Sequence, residues 1–369
     1  MAVSLTTLTD LSHDLLDALV VSMGQPVFRA NQIRIWVYQK LAGSYDEMTD
    51  LPLFFRQRLI HETRLSNLVA EQVSASLDET KKVLFKGLDG NTVEAALMYY
   101  GGDGKKERRT VCVSTQAGCA IGCPFCATGR MGLQRNLSTG EIVDQVLYFA
   151  RLLKNESARR DDTEQAEQIS NVVFMGMGEP LANYDNLWRA IQTLNDPDGF
   201  KLGARNMTIS TAGFVPGIKR LSLEKIQVGL AVSLHAANNL LRTRLVPLNK
   251  QYPLEVLLPA CRQYSEITGR RISFEYTLFK GINDSRAHAR ELVELLQGFS
   301  CHVNLIPANQ TGDNDYSPPQ KNVVLAFEDE LKKHHINVTL RESRGQDINA
   351  GCGQLRSRYL GSTGKISKE

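Results

Sequence analysis

The sequence predicts an α/β protein: a partial (β/α)6 barrel preceded by a small helical unit and a connecting β-hairpin. Three observations carry this. From residue 110 onward, short apolar runs alternate with longer amphipathic segments, the pattern of a parallel sheet covered by helices. The chemically notable residues fall just after those runs, where barrels of this kind gather function on the loops at strand C-terminal ends. The first of these loops carries three closely spaced cysteines, Cys119-Ala-Ile-Gly-Cys123-Pro-Phe-Cys126.

At 369 residues the chain exceeds the ~250–300 residues at which single cores usually stop growing, so one large domain with an appendage is expected. The reading divides it into a helical unit (1–75), a hairpin extension with a basic loop (76–109), the barrel (110–345) and a C-terminal segment (346–369). A net charge of only +3 means that any nucleic-acid surface must be local. Seven cysteines, an odd number, argue against a secreted disulfide framework. The first ten residues lack a basic leader followed by an apolar run, and no long uninterrupted apolar stretch occurs, so a cytoplasmic protein without a membrane anchor is expected.

In the helical unit, Asp10 or Ser12 is placed to cap a helix running through Val21, which Gly24-Gln25-Pro26 breaks. Ile33, Trp36, Val37 and Leu41 recur at helical spacing, predicting a second helix that stops at Gly43. Pro52 opens a third, containing Phe55, Leu59 and Ile60 with Arg56, Arg58 and Arg64 interspersed. Such a module suits a phosphate backbone, and equally suits a helical cap with an ordinary solvated face.

The hairpin pairs 81–86 with 92–99 across an Asp89-Gly90 turn. Glu94, flanked by Val93, Ala95 and Ala96, is either on the polar face or aimed inward as an acid or base. The run from Gly101 to Arg109 reads as a flexible basic loop. Barrel strands are expected at 110–114, 171–175, 207–210, 229–234, 272–277 and 302–306, with a terminal strand at 337–340. Gly176-Met-Gly-Glu179-Pro180, Ser210-Thr-Ala-Gly213, Ser233-Leu-His235 and Pro307-Ala-Asn309 follow four of them and form a candidate ligand rim. Glycine lets a backbone approach a ligand closely, and Glu179 offers an anion to an amino group.

Three thiols without a fourth leave a vacancy. A closed structural zinc site needs four ligands, whereas a cube of four irons held by three cysteines keeps one iron open to a small molecule. Phe125 beside the thiols supplies an apolar wall. The bland alternatives are incidental buried thiols or a zinc loop borrowing a distant histidine. Cys352 lies between Gly351 and Gly353 on a backbone able to bend sharply, and is either reactive or inert. Cys112 lies on the first barrel strand, while Cys261 and Cys301 read as packing.

Cys-x3-Cys-x2-Cys resembles the radical S-adenosylmethionine (SAM) signature, and the rest resembles the RNA adenine methyltransferases of the RlmN and Cfr type. The likeness runs through Phe28-Arg-Ala-Asn-Gln32 with Trp36, Tyr45 through Pro52, Val111 through Cys119, Phe174 through Pro180, and Asp347 through Leu355. It implies a radical SAM barrel with a 4Fe-4S cluster on Cys119, Cys123 and Cys126. It puts Gly178, Glu179, Ser210, Ser233, Leu234, His235 and Asn309 around SAM, and makes Cys112, Cys352 and Glu94 catalytic.

The implied reaction uses two SAM molecules per turnover. One methylates Cys352 by displacement, and the other is reductively cleaved to a 5′-deoxyadenosyl radical that removes hydrogen from that methyl. The carbon radical adds to an adenine ring carbon that is itself not nucleophilic. After loss of an electron and a proton, Cys112 attacks the Cys352 sulfur, forming a transient disulfide and releasing methyladenine. Either Glu94 or Cys112 takes the proton. The implied substrates are an adenine of 23S ribosomal RNA near the peptidyl transferase centre and an adenine in certain tRNAs, unstacked into the barrel mouth. The helical unit then holds RNA, the protein acts as a monomer, and flavodoxin or ferredoxin supplies electrons. Methylation at C2 is favoured, with C8 the runner-up. Gly351 departs from the alanine usual there, and Ala308 replaces a bulkier residue. The rival readings are a radical SAM peptide-modifying enzyme and a non-enzymatic iron-sulfur or zinc module that binds RNA.

Overall fold

The computed structural model describes residues 5–102, 105–159, 167–309, 314–341, 343–348, 350, 351 and 354. The N-terminal unit contains α1 (His13–Ser22), α2 (Phe28–Arg34) and α3 (Leu53–Glu62). Ser12 caps α1, its hydroxyl accepting the Leu15 N–H at 3.3 Å. The second helix continues as π-helix over Ile35–Gln39 and ends at Leu41, held at φ 59°, rather than at Gly43. Ile33 and Val37 are fully buried there, while Phe55 and Leu59 anchor α3. Ile60 is exposed, because one helical step from Leu59 turns it about 100° away from the core.

Two stretches differ from expectation. Residues 68–75, included in the helical unit on sequence, form strand β1 (Leu68–Ala75), antiparallel to β2 (Lys81–Gly87). Its Val69 and Val73 are exposed, so no buried apolar face announces it. The supposed basic loop is largely strand. β3 (Thr92–Gly102) turns into β4 (Lys105–Cys112), with Tyr99 opposite Arg109 and Tyr100 opposite Arg108. Glu167 accepts from Arg109 Nε at 2.9 Å, so part of the charge that suggested a solvated loop is paired.

Strands β5 (Asn171–Phe174), β6 (Met207–Thr211), β7 (Gly229–Ser233), β8 (Ile272–Leu278), β9 (Cys301–Pro307) and β10 (Val338–Leu340) follow close to the expected positions. They join β1–β4 in one ten-stranded sheet in which every neighbour in space is the neighbour in sequence. Pairing is antiparallel from β1 to β4 and parallel from β4 to β10, so β4 is the seam between extension and barrel. The sheet keeps two free ends and the barrel is therefore partial. Helices α4 (Thr139–Arg159), α5 (Tyr184–Asn195), α6 (Val215–Leu221), α7 (Asn239–Leu245), α8 (Leu254–Thr268), α9 (Arg286–Leu296) and α10 (Lys321–Lys333) alternate with the strands. Their apolar faces bury Val172, Phe174, Ile209, Phe274 and Val303, each such side chain contributing roughly 1.5–3 kcal/mol. Cys261 and Cys301 are buried in this core, as expected, and burial pushes their thiols up to about 12 and about 11. Among the described residues no helix is long and apolar enough to cross a membrane.

The helical unit docks on the start of α4. Asp10 accepts the Gly140 N–H at 2.6 Å, placing a carboxylate at the positive end of the helix, and also accepts Asn67 Nδ2 at 2.5 Å. Asp144, on the same helix, accepts the Asn67 N–H at 2.7 Å and is almost wholly buried. Burial pushes its carboxyl from 3.8 to about 7, against the Asn67 N–H and other donors that pull it down. Between those pH values the native chain keeps a proton that the unfolded chain has released, so this group's contribution to stability falls as pH rises from about 4 to about 7. Asp144→Asn is expected to gain on the parent across that window, by roughly 4 kcal/mol at pH 8 relative to pH 4. Urea denaturation at several pH values measures it, and a pH-independent difference would count against the buried carboxyl as its source.

Candidate active site

The cysteine loop leaves the seam strand and is held at its base by a two-stranded ribbon, Gln116–Gly118 against Leu133–Asn136. Gly118 adopts φ +81°, and a Cβ there would lie 1.9 Å from the Gly132 carbonyl oxygen. The Cys119 N–H donates to that same carbonyl at 3.0 Å. Cys126 N–H turns back to the Cys123 carbonyl at 3.1 Å, and the Cys123 backbone packs so closely on Gly129 that a Cβ would meet it at 2.9 Å. The Phe125 ring closes one side, 5.2 Å from the His235 ring and 5.0 Å from that of Phe279.

The thiols are gathered and short of positive charge. Burial pushes Cys119 up to about 12 and Cys123 higher still, and the charges of neighbouring thiolates add to both. The Ile121 N–H toward Cys119 and the Arg242 guanidinium near Cys123 pull the other way without compensating. Thiolates here need a cationic partner, which irons supply. Among the described residues no three His, Cys, Asp or Glu side chains close around a single ion. A cube of irons, unlike one zinc, does not require its thiolates to meet at one point. The donor set fits a cluster.

Beside the loop, at the strand C-terminal ends, lies a cleft of about 1010 Å³, part of it open to solvent. Cys126, Ser210, Ser233, His235 and Asn309 all line it, with Phe125, Met175 and Ile306 as apolar walls. The remaining expected residues sit behind this surface. Leu234 is fully buried and its N–H is taken by the Glu275 carbonyl at 3.0 Å. Gly178, at φ +103°, presses on Gln116, whose Cβ would be 2.6 Å from an added side chain. Glu179 is buried, with its two oxygens accepting the N–H groups of Ala212 (2.7 Å) and Leu181 (3.1 Å); burial raises its carboxyl to about 7. His235 sits at φ 58° and accepts the Thr277 N–H on Nδ1 at 3.0 Å, which leaves the hydrogen on Nε2. Burial and Arg242 hold it near 3, so the ring is neutral.

Glu94 and Cys112 come together on one face of the sheet. Cys112 stands opposite Ala96 across β3 and β4, and Glu94 is two residues from Ala96, so both point the same way. Glu94 is buried, with Lys82 Nζ at 3.5 Å. Its side chain is therefore covered and not on a solvated face. Cys352 lies outside the described residues.

Several residues were not picked out from sequence. Arg242 is fully buried and ties the strand ends together, its Nη2 donating to the Ala212 carbonyl (2.8 Å) and Ser233 carbonyl (3.2 Å) and its Nη1 to Asn249 (2.8 Å). On an amphipathic helix it reads like any surface arginine. Glu275 lines the cleft, accepts Asn304 Nδ2 at 2.8 Å and faces Arg341 at 3.7 Å. Its signal was available, a carboxylate inside an apolar strand, as for Glu94. Lys82 becomes visible only through the hairpin register.

Fold, thiol loop and cleft together define a radical SAM enzyme. Residues 113–293 match the model of the Radical SAM superfamily, and residues 6–65 match that of the ribosomal RNA large subunit methyltransferase N-terminal domain. A probable dual-specificity RNA methyltransferase RlmN of Roseiflexus sp. (strain RS-1) is 44% identical over 95% of this chain and 96% of its own. One of Staphylococcus aureus (strain Newman) is 46% identical over 92% and 89%. The crystal structure of a radical SAM methyltransferase from Sphaerobacter thermophilus superposes with a TM-score of 0.89 at 46% identity, covering 95% of this chain and 99% of that one. The chain belongs to the RlmN family, and its cofactors are a 4Fe-4S cluster and SAM.

The loop geometry separates two glycine substitutions. Gly118→Ala drives a Cβ into backbone and is expected to lose most of the iron recovered after anaerobic reconstitution. Gly122→Ala meets nothing within 4 Å and bears only the strain of φ +71°, about 1 kcal/mol, so it should keep its iron. Equal iron retention in both would count against this account of the loop.

Proposed function

We propose that this chain methylates C2 of an adenine in 23S ribosomal RNA near the peptidyl transferase centre and an adenine in certain tRNAs, through a methylated Cys352 and a transient Cys112–Cys352 disulfide. The relatives' dual-specificity naming supports the two RNA classes. The observation that carries the mechanism is the shared face of Glu94 and Cys112 on a sheet continuous with the cleft wall.

The bound cluster and SAM supply a methyl group and one-electron chemistry, which an adenine carbon too electron-poor to attack a methyl cation requires. The rest falls to side chains. Cys119, Cys123 and Cys126 hold the cluster. Ser210, Ser233, His235 and Asn309 present polar atoms to SAM in the cleft, while Leu234 and Gly178 contribute through backbone and Glu179 fixes the strand ends they belong to. Cys352 carries the one-carbon unit. Glu94, with the Lys82 ammonium beside it, accepts the ring proton, and Cys112 attacks the Cys352 sulfur, so that an S–S bond forms as the C–S bond breaks. An external donor such as flavodoxin or ferredoxin returns the electrons. Residues 1–75 grip the RNA, and the enzyme works as a cytoplasmic monomer.

Incubation of the anaerobically reconstituted protein with ribosomal RNA, SAM and reductant is expected to yield 2-methyladenosine on chromatography of the digest. 8-Methyladenosine would replace the C2 assignment, and tight binding without methylation would leave only an RNA-binding module. Cys112→Ala is expected to leave RNA covalently attached to the protein, with free product reduced at least ~100-fold. Free methylated RNA at the parental rate would remove Cys112 from the resolving step.

A further inference from the structure

The segment that precedes Cys352 is held by a part of the chain far away in sequence. Asp347 accepts the Ser76 hydroxyl on one carboxylate oxygen and the Leu77 N–H on the other, the latter at 3.1 Å. In return, Asp78 accepts the Gly345 N–H at 2.9 Å. Each side thus offers a carboxylate to the other's donors. Both carboxyls are held below their ordinary value: that of Asp347 by the Ser76 hydroxyl first, and that of Asp78 against its own burial by the Gly345 N–H and the Thr80 and Ser76 donors.

The fit is steric as well as polar. Gly345 stands at φ +61°, where a Cβ would lie 2.7 Å from the Ala350 Cβ and 2.9 Å from Thr80 Cγ2. The Ala350 N–H closes the bend on the Gly345 carbonyl at 2.9 Å. Arg344 lies over the Tyr100 ring at 5.6 Å, a further tether to the extension. At the other end, a Cβ on Gly351 would be 2.2 Å from Asn309 Nδ2, so the segment abuts the cleft rim just before Cys352. Three hydrogen bonds from 343–351 end on the turn after β1.

We propose that this turn, Ser76 through Thr80, positions the Cys352 segment through the reciprocal Asp347 and Asp78 latch, keeping its thiol within reach of both the cleft and Cys112. The proposal rests on the reading of Cys352 as methyl carrier. Cys352 is the fifth residue after Asp347, so the anchor limits its Cα to a radius of roughly 17 Å. Confinement raises the effective concentration of the carrier at each station and costs no new contact there. Without the latch, radical generation continues while delivery of the methyl fails, so the two processes uncouple.

The test uses the full chain, reconstituted anaerobically, with Asp347→Ala, Ser76→Ala and Ser76→Thr. Iron content and KM for SAM are expected to stay within about twofold of the parent, because neither residue touches cluster or cleft. Turnover on ribosomal RNA should fall tenfold or more in both alanine variants, and 5′-deoxyadenosine formed per methylated adenine should rise several-fold. Ser76→Thr, which keeps the hydroxyl, should remain within twofold on both counts. Alanine variants with parental turnover and parental coupling would overturn the latch, while an inactive Cys352→Ala alongside them would leave the carrier reading intact. Methylated RNA from Cys352→Ala would overturn the carrier reading and the latch with it.

Discussion

Three thiols packed under an apolar ring and starved of positive charge set the terms for the rest of the molecule. Left alone, the burial that pushes Cys119 to about 12 and Cys123 higher would keep them protonated and inert. The loop accepts that penalty because a cationic cluster removes it. The surroundings are then built for rigidity rather than for charge balance: a ribbon closed by glycine at 118, a turn packed on Gly129, and Phe125 wedged between His235 and Phe279. Arg242, whose guanidinium lies near Cys123, spends its donors on the Ala212 and Ser233 carbonyls and Asn249, so it braces the cleft more than it neutralises the loop.

The same economy recurs along the rim. Glu179 is buried, and its oxygens join the ends of β5 and β6 by accepting N–H groups on either side. His235 is fixed as a neutral ring by a backbone donor on one nitrogen. What the cleft presents is therefore a set of orientations already settled before a ligand arrives. Little of the affinity it generates is spent on reorganising side chains.

How much of this was legible depended on whether a residue's role is written locally. The parallel strands were, because β-branched and apolar runs bounded by helices have few other solutions, and the strand-end residues followed from position alone. The cysteine spacing was likewise local. β1 was not, since its valines face solvent and no alternation of buried apolar residues marks it. Nor was the strand within the supposed basic loop, whose arginines meet tyrosines and glutamates only once the hairpin register is known. Arg242, Lys82 and Asp144 escaped for a common reason: charged side chains on helices and strands look solvated until packing covers them. Gly351 was noticed as unusual, but its closeness to Asn309 required the fold.

The seam strand β4 has a mechanical meaning. Because it bonds to β3 on one edge and to β5 on the other, the extension and the barrel share a backbone ladder and have no hinge between them. A bulky polymer cannot be admitted by swinging these halves apart as a jaw would. Entry has to be negotiated by the connecting segments and by distortion of the polymer itself, and the enzyme meets its guest as a fixed anvil.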